Sequence, residues 1–187
     1  MNLWKDLPVG TDSPNSINVI VEIPKGSRNK YEFDKKTGAL RLDRVLYSSI
    51  YYPGDYGLIP QTFYDDGDPL DVLVMVNEPT FSGCIIQARP IGLFRMKDRG
   101  EPDDKILAVP QQDPFFRDYH DIADIPQHFL KEIAHFFSVY KDLEGSYVKT
   151  IGWEDAVSAK KCIVYSVRLK KKKIRRKKSD TSSVKKK

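Results

Sequence analysis

The stretch DDGDPLDVLV, residues 65–74, places four carboxylates within seven positions and then runs straight into an apolar segment. Like charges this close repel, and an ordinary surface turn would disperse them. Divalent cations make such a cluster favourable, and all-oxygen ligation suits Mg2+ or Mn2+ rather than a structural zinc. Gly67 allows a tight approach and Pro69 stiffens the link. Asp71 lies in PLDVLVMV (69–76), which reads as a largely buried strand, so this acid rests on a rigid element. A calcium loop of the helix-loop-helix kind is excluded. Counted from Asp66, position six is Asp71 rather than Gly, and position twelve is Asn77 rather than Glu. A solvated acidic turn is the plainer alternative, and the cluster alone leaves both open.

Working outward, β-branched INVIVEIP (17–24) predicts a strand, and KYEFD and ALRLD predict a hairpin around KKTG. CIIQARPIGLFRM (84–96) predicts a long strand with a bend or bulge at Pro90, and KILAVP (105–110) a short one. YYPGDYGLIPQ (51–61) reads as turn-rich. The period then changes. Ile125, Phe129, Ile133, Phe136, Phe137 and Tyr140 recur at helical spacing, with Pro126 at the start and Gly145 as a stop. A second helix is expected over 153–169, starting near Trp153, although CIVYSV would also suit a strand. Many short strands followed by two helices predict a β-rich α+β fold, a barrel or sandwich with helices outside.

A chain of 187 residues suits one domain, and 40% hydrophobic residues suit a globular one. The net charge of +5 hides an asymmetry: residues 170–187 carry +10 and the remainder −5. The expected organisation is a domain over 1–169 and a basic tail over 170–187. The tail reads as disordered, or as an extension of the last helix, with RNA, polyphosphate or anionic surfaces as its candidate contacts. No apolar run is long enough for a transmembrane segment, and the N-terminus shows no secretion signal. Cys84 and Cys162 lack metal-ligand spacing. Both are expected as free thiols, which points to the cytoplasm. Trp4 and Trp153 are expected as packing residues, and His135 as a partly buried helix residue.

Further charged groups accompany the cluster. DRGEPDDK places Asp98, Asp103, Asp104 and Lys105 in a second loop, and Glu22 and Glu32 lie in VEIP and KYEFD. Lys30, Arg44, Tyr52, Tyr56, Tyr140 and Lys141 lie near strand or helix ends. Carboxylates with metals between them and cations to grip phosphate oxygens are the means of phosphoryl transfer. Each residue also has a plain reading: Tyr140 falls on an apolar helix face, and Lys141 would by default be solvated.

DGDPLD carries the Asp-x-Asp-Pro-apolar-Asp signature of the family I soluble inorganic pyrophosphatases. VEIP, KYE, DR (43–44), YYPGDYG, DRGEPDDK, VP (109–110), IAHFFSVYKDLE and GWE follow in that family's order. The chain therefore resembles this family over about residues 1–168. The resemblance implies a five-stranded OB-like β-barrel with two main flanking helices. It also implies diphosphate hydrolysis by direct attack of a metal-activated water. Several Mg2+ ions per site are implied, with Mn2+ or Zn2+ as substitutes, and a homo-oligomer, the hexamer. Asp66, Asp71 and Asp103 would hold the first metal, with Asp71 bridging to a second. Asp98 and Asp103 would face a metal arriving with substrate, and Glu22 and Glu32 would support another, partly through water. Asp68 would be the general base. Lys30, Arg44, Tyr56, Tyr140 and Lys141 would bind phosphate oxygens, with Tyr52 nearby. Asp104 matches no functional position and is expected as a solvated neighbour. Two other readings use the same residues: an OB-like nucleic-acid-binding module with a basic tail, and a metal-dependent phosphatase acting on nucleotides or sugar phosphates.

Overall fold

The computed structural model describes residues 2–184, with side chains through Arg175. A short N-terminal helix, α1 (Leu3–Asp6), precedes the β-branched run Ile17–Ile23, which forms β1. β2 (Asn29–Phe33) and β3 (Leu40–Val45) make the expected antiparallel hairpin. Then follow β4 (Asp55–Leu58), β5 (Asp71–Val74), the long β6 (Ile85–Asp98), a short β7 (Glu101–Pro102) and β8 (Lys105–Pro110). The chain ends with helix α2 (Gln127–Val139), strand β9 (Val148–Glu154) and helix α3 (Ala156–Val184).

The ladders run β1–β4–β5–β8–β6, and β6 pairs again with β1, so the pairing returns to its start. Within this circuit only β5–β8 is parallel, and it sets Asp71 opposite Lys105. β6 serves many partners because it is long. Ile85–Ala88 pairs with β1, the middle with β8, and Leu93–Asp98 with β9. Pro90 lacks an amide to donate, and the register with β8 shifts between Pro90 and Gly92, the irregularity expected there. β1 and β4 approach so closely that a Cβ at Gly57 would overlap the Ile20 carbonyl, so only glycine fits.

Helix α2 buries Leu130, Ile133, Phe136 and Phe137 against Phe94, Met96, Tyr52 and Tyr56. Helix α3 turns Ala159, Cys162, Ile163 and Ser166 inward, at spacings of three and four residues, beside Val72, Leu93 and Ala108. These apolar faces hold the strands whose ends carry the charged residues.

Several expectations need correction. YYPGDYGLIPQ contains β4, whose central Gly57 is what permits the close strand pairing. Trp153 does not start the second helix. It lies in β9, packed against Phe94 with tilted rings 4.7 Å apart, and the helix begins at Ala156. His135 is exposed rather than partly buried. Trp4 and Trp153 do pack, and both cysteines are free. Helix α3 continues through 170–184, and residues 185–187 lie outside the described range. Its first basic turn lies on the domain: the Lys170 ammonium is 3.0 Å from the Trp4 ring centroid, and that of Lys173 is 3.9 Å from Phe63. Among the described residues, no helix is long and apolar enough to cross a membrane.

Candidate active site

The ends of β1, β5, β6 and β8, the β2–β3 hairpin, the 64–70 turn and the C-terminus of α2 converge on one cavity of about 280 Å³. Alternation along the strands selects which side chains enter it. On β2, Lys30 and Glu32 share a face and are in contact, and Lys30 also reaches Asp43 at 3.1 Å. Glu22, next to last in β1, is buried and accepts the Phe33 amide at 2.6 Å. In the 64–70 turn, Gly67 adopts φ +87°, a conformation that glycine favours, and the Asp68 amide donates to Asp66 at 2.9 Å. Asp68 pairs with Lys35 from the hairpin.

Asp71 heads β5 and accepts the Tyr56 hydroxyl at 2.5 Å and the Lys105 ammonium at 2.6 Å. Lys105 also contacts Asp103, so one buried ammonium joins two carboxylates. Lys141 reaches Asp98 at 2.6 Å, which leaves Asp98 Oδ1 buried and unpaired.

Electrostatics divides these groups. Burial, then repulsion from Asp71, pushes Glu22 up to about 8. Asp66 is pushed up to about 6 by desolvation of its carboxylate, with Asp71 and Asp103 adding to it. Burial opposes the Lys105 charge, but Asp71 and Asp103 outweigh it and hold the ammonium well above its ordinary value. Burial raises Tyr56 and Tyr140, so both phenols stay protonated as donors that add no charge.

Eleven of the twelve residues singled out from sequence line this cavity: Glu22, Lys30, Glu32, Tyr56, Asp66, Asp68, Asp71, Asp98, Asp103, Tyr140 and Lys141. Tyr52 lines it too. Arg44 does not. It pairs with Lys30 across the hairpin ladder, and its guanidinium is held by Asp43 and by Glu144 at 2.9 Å. Lys35 and Lys105 were missed as site residues. The signal for Lys105 was its i, i+2 relation to Asp103 at the start of a strand. Asp104 is not a solvated neighbour. It is buried and accepts from Tyr64 at 2.5 Å, Arg95 at 2.6 Å and the Met96 amide at 3.1 Å.

The donor set suits a hard divalent cation. It offers carboxylate oxygens only, an unpaired buried Asp98 Oδ1, and two acids, Glu22 and Asp66, for which burial and the nearby carboxylates outweigh the pull of Lys30 and of Lys105. Among the described residues, no three such side chains converge into a ready cage. That is compatible with Mg2+, which keeps several waters and takes one or two carboxylates together with substrate phosphates.

Comparison with known proteins bears on this cavity. A family model described as inorganic pyrophosphatase matches residues 19–171. An inorganic pyrophosphatase of Haloferax volcanii is 52% identical over 170 residues, which is 90% of this chain and 96% of that relative. A soluble inorganic pyrophosphatase of Zea mays is 49% identical over 166 residues, covering 89% of this chain and 78% of the other. Among solved structures, an inorganic pyrophosphatase from Thermus thermophilus aligns with a TM-score of 0.88 at 41% identity, covering 91% of this chain and 99% of that one.

Proposed function

The chain belongs to the inorganic pyrophosphatase family, and on that premise we propose that its acid-lined cavity hydrolyses diphosphate to two phosphates by direct attack of water, with Mg2+ as cofactor. It is an enzyme, a hydrolase. The observation that carries the reading is the gathering of Glu22, Asp66, Asp71, Asp98 and Asp103 with Lys30 and Lys141 in one hollow. An anionic substrate needs the cations, and the acids need further positive charge.

Asp66, Asp71 and Asp103 would hold the first ion, with Asp71 shared by a second. Asp98 and Asp103 would face an ion arriving with substrate, and Glu22 and Glu32 would support another. When bound, Mg2+, or Mn2+ or Zn2+ in its place, neutralises phosphate charge and acidifies the attacking water. Asp68 takes the proton of that water as the new O–P bond forms and the bridging P–O bond breaks. Lys30, Lys141, Tyr56 and Tyr140 donate to phosphate oxygens and to the leaving phosphate, with their dipoles and charges in place before the reaction. Arg44 joins them by releasing Glu144 or by acting from the rim. No covalent intermediate with the protein is required.

We read the circuit of five strands as the OB-like barrel of this family, and the assembly as a hexamer. We place the chain in the cytoplasm, consistent with its free thiols. The basic segment from 170 onward would contact RNA, polyphosphate or an anionic surface. The nucleic-acid-binding reading of the domain itself gains nothing, because its concave site is lined by carboxylates that repel a phosphate backbone. The test is phosphate release from diphosphate by the full chain in Mg2+ and in EDTA. Fast release in Mg2+ that EDTA abolishes is expected. No release in Mg2+ from folded protein would overturn the reading.

A further inference from the structure

Five acids of the cavity, Asp66, Asp68, Asp71, Asp98 and Asp103, come from two segments far apart in sequence, and one tyrosine touches both segments. Tyr64 closes the turn that carries Asp66 and Asp68. Its amide donates to the Asp68 carbonyl at 2.7 Å, and its carbonyl accepts the Gly67 amide at 3.0 Å. Its hydroxyl points away from that turn and donates to Asp104 at 2.5 Å. Asp104 sits between Asp103 and Lys105, both of which face the cavity.

The contact is built on both sides. Asp104 Oδ2 takes Tyr64 and Arg95, and Oδ1 takes the Met96 amide, so both oxygens of the buried carboxylate are engaged. Arg95 is forked onto Glu154 at 2.9 and 3.3 Å, which fixes the cation that balances Asp104. Behind Tyr64, Tyr165 of α3 packs edge-on at 6.5 Å and donates to Asp65, the neighbour of Asp66, at 2.7 Å. Tyr64, Asp104 and Arg95 do not line the cavity, so they act on it only through their neighbours.

We propose that Tyr64 and Asp104 are positioning residues: their buried hydrogen bond clamps the 64–71 loop to the 98–105 loop. The clamp sets the spacing of Asp66 and Asp71 from Asp103, and with it the affinity for divalent cations. It rests on the cavity being a divalent-cation site. A hydrogen bond to a carboxylate inside the protein is stronger than a neutral one, and it has few competing partners there.

The test measures Mn2+ binding to the full chain by calorimetry, together with the Mg2+ concentration giving half-maximal diphosphate hydrolysis. Tyr64→Phe, which removes only the hydroxyl, and Asp104→Asn are each expected to weaken Mn2+ binding about tenfold. The double variant should lose little more than the worse single, because both remove the same bond. Saturating Mg2+ should recover most of the turnover. Leu130→Ala, a core truncation in α2 outside both loops, should lower the melting temperature without weakening Mn2+ binding. Unchanged Mn2+ affinity in Tyr64→Phe, additive losses in the double variant, or an equal loss in Leu130→Ala would overturn the clamp. Wild-type chain that binds no divalent cation would instead overturn the reading of the cavity, and the clamp with it.

Discussion

The cavity holds two kinds of carboxylate. Asp71, Asp98 and Asp103 each touch a lysine, whereas among the described residues no cation touches Glu22 or Asp66, which are pushed up to about 8 and about 6. Glu32 and Asp68 resemble the first kind, through Lys30 and Lys35. One set has its charge balanced by the fold itself. The other is unfavourable as a pair of anions until positive charge arrives. Binding capacity need not appear as a finished cage. It can appear as local under-compensation, relieved when ligand enters.

The largest effect is expected at Asp71, which joins Tyr56 and Lys105 and is the proposed shared ligand. Asp71→Asn is expected to reduce turnover by more than Asp68→Asn, for which loss of a general base predicts about 10²–10⁴-fold. Steady-state phosphate release across a Mg2+ titration measures both. Near-full activity in Asp68→Asn would remove it as the base, and unchanged Mg2+ dependence in Asp71→Asn would remove the shared-ligand role.

Lys105→Met converts two compensated acids into uncompensated ones. Breaking a buried pair from one side costs about 3–5 kcal/mol, so denaturant unfolding in EDTA should show a loss of that order. Added Mg2+ should restore part of it by supplying the missing charge. A loss that Mg2+ leaves untouched would mean that the lysine and the metal do not substitute for each other.

Glu22 belongs to the uncompensated set. Its carboxyl titrates near 4.5 in the unfolded chain and near 8 in the folded one. Between those values the folded state holds a proton that the unfolded state has released. Metal-free stability from this group is therefore complete below pH 4.5 and declines as pH rises to 8. Glu22→Gln should flatten the fall in melting temperature over that window in EDTA, and an unaltered slope would assign the fall to other groups. The smallest effect is expected at Arg44, already held by Asp43 and Glu144 off the cavity wall. Arg44→Lys should raise KM several-fold and leave kcat nearly unchanged, because the planar fork is lost but the charge remains. An unchanged KM would make Arg44 structural.

Much of this was legible in the residues. β-branched and apolar runs located β1, β6 and β8, and the helical recurrence from Ile125 to Tyr140 located α2. Short motifs identified the acids that line the cavity. What escaped was set by tertiary contact. The prolines and glycines of 51–61 suggested turns because the pattern does not show that Gly57 is demanded by a neighbouring strand. Trp153 resembled a helix start because β9 is defined by its pairing with β6. Asp104 was misjudged because its partners, Tyr64 and Arg95, lie 40 and 9 residues away. Burial of Lys105 was equally invisible, since an ammonium enters a core only where other chain segments supply its counter-charges.

The order Asp103–Asp104–Lys105 works as a reading frame. Alternate positions face the cavity and the middle one faces the packed interior. A single residue inserted between Asp104 and Lys105 would put the two sides out of phase, sending Lys105 into the core if Asp104 keeps its place, or Asp104 toward the cavity if Lys105 keeps its own. The same insertion at the exposed turn of Arg99 and Gly100, both at positive φ, would leave the frame intact. Evolutionary length variation should therefore collect at that turn and stop short of the tripeptide.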